Sequence, residues 1–132
     1  MSDDIPATVE ELEAKEQQDT GLFYGSVFEF FEKMIVPLLR DRLIDPRSGL
    51  RWSKRWWNSP EAMMRLDALW RAFEHLRHDP GTGISVWFRD HFDVHMAVLT
   101  AVDGPFGKSR DVSERGEDPP HEPPPDELLT SI

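Results

Sequence analysis

His91 and His95 stand four residues apart, a spacing that on a helix brings two imidazoles to one face and lets them share a metal ion. Asp90 and Asp93 lie beside them as candidate oxygen ligands. Two histidines are too few to close a site, and His91-Phe92-Asp93-Val94-His95 lacks the glutamate that follows the first histidine of a zinc protease. The alternative is a buried pair that hydrogen-bonds to backbone or carboxylate groups, the usual fate of buried polar side chains. That reading is preferred. Asp90 and Asp93 are not read as an acid–base pair.

Arg51-Trp52-Ser53-Lys54-Arg55-Trp56-Trp57 could do different chemistry. Arginine and lysine hold phosphates while indole rings stack on bases, which is the logic of single-strand binding. Arg40, Arg42 and Arg47 would extend the patch, and Trp87 with Arg89 repeats the pairing of ring and cation further on. The competing reading is packing, since tryptophan supplies much buried area and aromatic and arginine residues also dominate protein interfaces. Core or partner packing is preferred over nucleic acid.

Other signatures fail. Gly107-Lys108-Ser109 resembles the end of a phosphate-binding loop, but Val102 stands where its first glycine is needed. No serine lies in a Gly-x-Ser-x-Gly elbow. With no cysteine, disulfides, thiol catalysis and Cys-based zinc sites are excluded. No active site is nominated and no cofactor is expected.

The elements that must position these residues follow from periodicity. A first helix is predicted over 22–43, with Phe23, Val27, Phe30, Met34 and Leu38 on one stripe and a kink at Pro37. A second is predicted over 59–78, where Ser59 caps, Pro60 suits the first position and Glu61 meets the positive end of the dipole. A third is predicted over 84–102, with Ile84, Phe88, His91, His95, Val98, Leu99 and Val102 together. Its alternative is a β-hairpin. The Trp-rich connection would cross one end.

Charge divides the chain. Residues 1–20 hold seven acids and one base, as do residues 111–132, so each contributes −6. Residues 21–110 hold 13 bases and 11 acids, a balance of +2, and all 14 aromatic residues fall between Phe23 and Phe106. The predicted organisation is a disordered acidic tail over 1–20, a helical domain over 21–107, and a disordered proline-rich acidic tail over 108–132. Met1-Ser2-Asp3-Asp4 lacks the flank and apolar run of a signal peptide. No apolar run approaches the roughly 20 residues of a membrane span, so a cytoplasmic location and no membrane partner are expected.

The region 23–106 resembles an actinobacterial family known as domain of unknown function 4913. The residues carrying the likeness are Phe23-Tyr24-Gly25-Ser26-Val27, Arg51-Trp52, Arg55-Trp56-Trp57 and Pro60-Glu61-Ala62. They continue through Leu69-Trp70-Arg71-Ala72-Phe73-Glu74-His75-Leu76-Arg77, Asp79-Pro80 and Thr82-Gly83. Ser85-Val86-Trp87-Phe88-Arg89-Asp90-His91, Asp93, His95-Met96 and Asp103-Gly104-Pro105-Phe106 complete the match. The family often has a cysteine where Ser53 stands, so a thiol role would not carry over. The resemblance implies an origin in phages, plasmids or conjugative elements, and no activity.

The expected architecture is a mainly α, three-helix domain. The expected function is a non-catalytic binding or adaptor protein with a protein partner or a second copy of itself. Nucleic-acid binding through residues 51–57 and metal binding through His91 and His95 are the alternatives.

Overall fold

The computed structural model describes residues 21–130. Among them are four α-helices: α1 over 27–39, α2 over Pro60–Leu76, α3 over 83–99 and a short α4 over Asp126–Thr130, with a 3-10 turn at Trp56–Asn58. No strand or sheet occurs among the described residues. Ladder pairing is limited to isolated bridges of Ile44 with Leu50 and with Ser113. The domain is mainly α, and the stretch that could have paired as a hairpin is the helix α3.

Helix α2 starts as its residues require. The Ser59 Oγ accepts from the Ala62 amide at 3.2 Å, and Pro60 and Glu61 fill the first turn. Ala62, Leu66, Leu69 and Phe73 then point inward at helical spacing. Replacing Ser59 with alanine is expected to cost about 1 kcal/mol, read as a lower urea midpoint with unchanged slope. The turn to α3 is held by the Asp79 carboxylate, which accepts from the Gly81 amide and from both the amide and hydroxyl of Thr82. Gly83 must be glycine here, because a Cβ would collide with the Leu76 carbonyl.

Helix α1 is shorter than its 22–43 periodicity suggests. Ser26 accepts from the Glu29 amide at 3.1 Å and caps the helix there, so Phe23 and Tyr24 enter the core ahead of it. The kink expected at Pro37 takes the form of a π turn over Phe31–Ile35, in which the Val36 amide reaches back to the Phe31 carbonyl. The wider turn relieves the clash of the proline ring with the turn before it.

Helix α3 also carries a π turn, over Phe88–Phe92. Its buried residues are Gly83, Trp87, Phe92, Met96 and Leu99, with a five-residue step across that turn. One added residue advances the inward face by one position. The predicted stripe therefore misses: His91 and His95 are half-buried on its flank, and Val102 lies beyond the helix, exposed.

The core is aromatic. Trp87 touches Phe30, Phe73, Phe88 and Phe92, while its indole N–H donates to the Leu69 carbonyl at 3.0 Å. At the other end Phe31 stacks on Trp56 with centroids 4.1 Å apart, and Trp52 packs on Phe106.

The largest departure from expectation is the C-terminal stretch. Residues 108–130 fold back over the domain, where a solvated tail was expected. Ile44 and Ser113 exchange both backbone hydrogen bonds at 3.0 Å, the Gly116 amide donates to the Arg40 carbonyl, and Arg40 pairs with Asp118 at 2.6 Å. His121 meets the edge of Phe31, and Leu128 packs against the core. Prolines cannot donate, but Ser113, Gly116 and Glu122 between them can, and the acids find cations on the domain. The predicted tail over 1–20 lies outside the described residues, as do residues 131–132.

Candidate functional site

The Trp-rich segment is positioned by its own loop. The Arg51 guanidinium donates to the Asp45 and Gly49 carbonyls at 2.8 and 2.7 Å, so it closes the turn before it and is not turned outward as a phosphate hand. Trp52 and Trp56 are sealed in the core. Trp57 is half-buried and donates its indole N–H to the Glu122 carbonyl at 3.0 Å. Lys54 and Arg55 remain at the surface, and Glu122 approaches both, at 3.7 and 3.4 Å. The base-stacking surface expected at residues 52–57 is therefore absent, because a domain this small needs its largest rings inside. Trp87 is likewise core, and Arg89 is exposed in a two-point contact with Asp90 at 2.7 and 2.9 Å.

The histidine cluster does not converge either. Asp90 is turned to Arg89, and Asp93 is exposed. Arg65 lies 3.0 Å from His95 Nδ1. An arginine can only donate, so His95 Nδ1 accepts and the ring is neutral. No group of three or more histidine, aspartate and glutamate side chains is placed to hold a metal ion among the described residues.

Burial of the His95 ring, then the charge of Arg65 and of His91, holds its pKa below the ordinary 6.5. A histidine with a depressed folded pKa binds protons more readily when unfolded. Its contribution is intact above about pH 6.5 and is lost as the pH falls towards the folded value. The melting temperature is expected to decline between pH 7 and 5, and His95→Gln to flatten that decline. NMR titration of the ring should give a midpoint below 6.5.

What does converge lies between the Trp-rich segment and the loop after α3. Ser53, Arg55 and Ser59 form one wall of an open groove of about 600 Å³, and Lys108, Ser109 and Arg110 form the other. Gly107 permits the tight turn that presents them, since a Cβ there would strike the Val102 carbonyl. The two sequence features read separately as a nucleic-acid segment and a failed phosphate loop thus meet across one groove. Sequence reasoning named Arg55 but missed Lys108 and Arg110 as its partners, having placed them at the start of a tail. It also missed Glu74, buried beneath Phe23 and Tyr24. The available signal was a carboxylate at the i+4 position from Trp70, inside the apolar face of α2.

Fold and groove together define a small, mainly α domain, closed by its own C-terminal segment and carrying a cation-lined surface groove. The chain belongs to the family described as Domain of unknown function (DUF4913), whose model matches residues 24–127. That match runs past the resemblance over 23–106 and takes in most of the folded-back segment. No curated protein and no solved structure matches the chain. No helix among the described residues is long and apolar enough to cross a membrane.

Proposed function

We propose that this chain is a non-catalytic, cytoplasmic binding or adaptor protein of an actinobacterial mobile genetic element. The setting comes from the family resemblance. The observation that carries the binding reading is the disposition of the reactive side chains. His95 is engaged by Arg65 and Asp90 by Arg89, while exposed cations are gathered along an open groove.

A protein partner or a second copy would not meet the rings of α1 or of Trp52 and Trp56, which are inside, and is proposed to meet the exposed cations of the groove. Such a complex is expected to weaken as salt is raised. A nucleic-acid partner is the second reading, favoured by Arg55, Lys108 and Arg110.

Offered ester, peptide and phosphoester substrates with magnesium or zinc, the purified protein is expected to show no turnover above buffer. Turnover that co-purifies with it, and vanishes in a His91→Ala, His95→Ala double variant, would overturn the reading.

A further inference from the structure

The groove is lined by groups that donate. Lys108 and Arg110 make no ion pair among the described residues, and the Arg55 side chain is 65% exposed, with only the Glu122 contacts to satisfy it. The serine hydroxyls are oriented in a consistent way. The Ser53 oxygen accepts from the Arg55 amide at 3.2 Å, the Ser109 oxygen from the Asp111 amide at 3.2 Å, and the Ser59 oxygen from the Ala62 amide at 3.2 Å. Each oxygen accepts one backbone amide, and each O–H keeps its hydrogen to donate to a ligand in the groove. Asp111 is the one carboxylate on the lining, and its Oδ2 is held by the Lys54 amide at 2.8 Å. Three cations against one carboxylate leave the groove near +2, inside a chain of net charge −10.

A groove of donors and cations recognises an anion with several acceptor oxygens, and arginine forks suit phosphate. No exposed ring faces it, since Phe106 on its floor is buried, so bases have nothing to stack on. We propose that the groove binds the phosphodiester backbone of a nucleic-acid strand without reading its bases, through Arg55, Lys108 and Arg110 with the serine hydroxyls. Glu122 of the C-terminal segment holds Arg55 from the other side and competes with the strand for it. This rests on the binding reading above and names its ligand.

The test is fluorescence anisotropy with the full chain and labelled 20-nucleotide oligothymidine or oligoadenosine at low salt. Both strands are expected to bind with similar affinity. Log affinity should fall with log salt at a slope near −2, about 0.7 for each of three phosphates. Lys108→Glu with Arg110→Glu should weaken binding at least tenfold, Lys108→Ala should weaken it less, and Glu122→Gln should tighten it several-fold. Circular dichroism should be unchanged in all, since these side chains are outside the core. Binding unaffected by the double reversal would overturn the site. So would a strand affinity governed by base identity. If inorganic pyrophosphate binds and neither strand does, the ligand is a small phosphate compound and the strand assignment is wrong. Each of these failures leaves the absence of turnover, and with it the non-catalytic reading, standing.

Discussion

Trp87→Ala should be the most damaging single substitution in this domain, lowering stability by about 3–5 kcal/mol. The indole is fully buried where α1, α2 and α3 meet, with four phenylalanine rings around it. Removing it leaves a cavity that rings on three helices cannot close together, and an acceptor at Leu69 without its donor. A small domain holds only about 5–15 kcal/mol in total, so urea titration should show a large loss of folded protein even without denaturant. Phenylalanine at the same position keeps most of the volume and loses the hydrogen bond. Trp56 is the control. Its indole N–H is buried and has no hydrogen-bond partner among the described residues, so Trp56→Phe removes a donor that was bonded to nothing. Trp56→Phe should therefore cost less than Trp87→Phe, and the reverse order would refute this account of the core.

Glu74→Ala is expected to cost a similar amount by another route. The buried carboxylate accepts from the Phe23 amide at 2.8 Å, the Tyr24 amide at 2.9 Å, the Trp70 indole at 3.1 Å and the Arg77 guanidinium at 3.0 Å. Arg77 also donates to the Gly21 carbonyl at 2.7 Å. This one side chain thus ties the chain ahead of α1 to the middle of α2. Deleting it removes the acceptor that two backbone amides, an indole and a buried guanidinium share, a loss of about 3–5 kcal/mol. Two further measurements separate this from mere loss of volume. Amide exchange should accelerate first at Phe23 and Tyr24, ahead of α2 and α3. A Glu74→Leu, Arg77→Leu double variant should be more stable than Glu74→Ala alone, because the buried guanidinium is removed together with the carboxylate it faced. If the double variant is the worse of the two, the pair is not what anchors this corner.

Much of the helical layout was open to inspection in the residues themselves. Ser59-Pro60-Glu61 announced α2, and Asp79-Pro80-Gly81 announced its end, because caps and turn residues act within a few positions of themselves. The π turns were not visible. A single added residue leaves the composition of α3 untouched while moving the inward face from His91 to Phe92, and the choice is made by what Trp87 must pack against. Half of the groove was legible for the same reason. Arg55 stood out beside its tryptophans, whereas Lys108 and Arg110 had no local feature to connect them with it.

The chain by itself determined that the domain is mainly α, where α2 begins, and that thiol chemistry is absent, since each depends on residue type or on neighbours close in sequence. Only the tertiary structure decided that Trp52, Trp56 and Trp87 are core, that Asp90 turns to Arg89 and His95 to Arg65, and that residues 108–130 lie on the domain. The physical reason is range. A cap or a turn is settled within a few residues, but burial and ion pairing depend on partners brought close by folding. Glu122 is 67 residues from Arg55 in the chain and 3.4 Å from it in space.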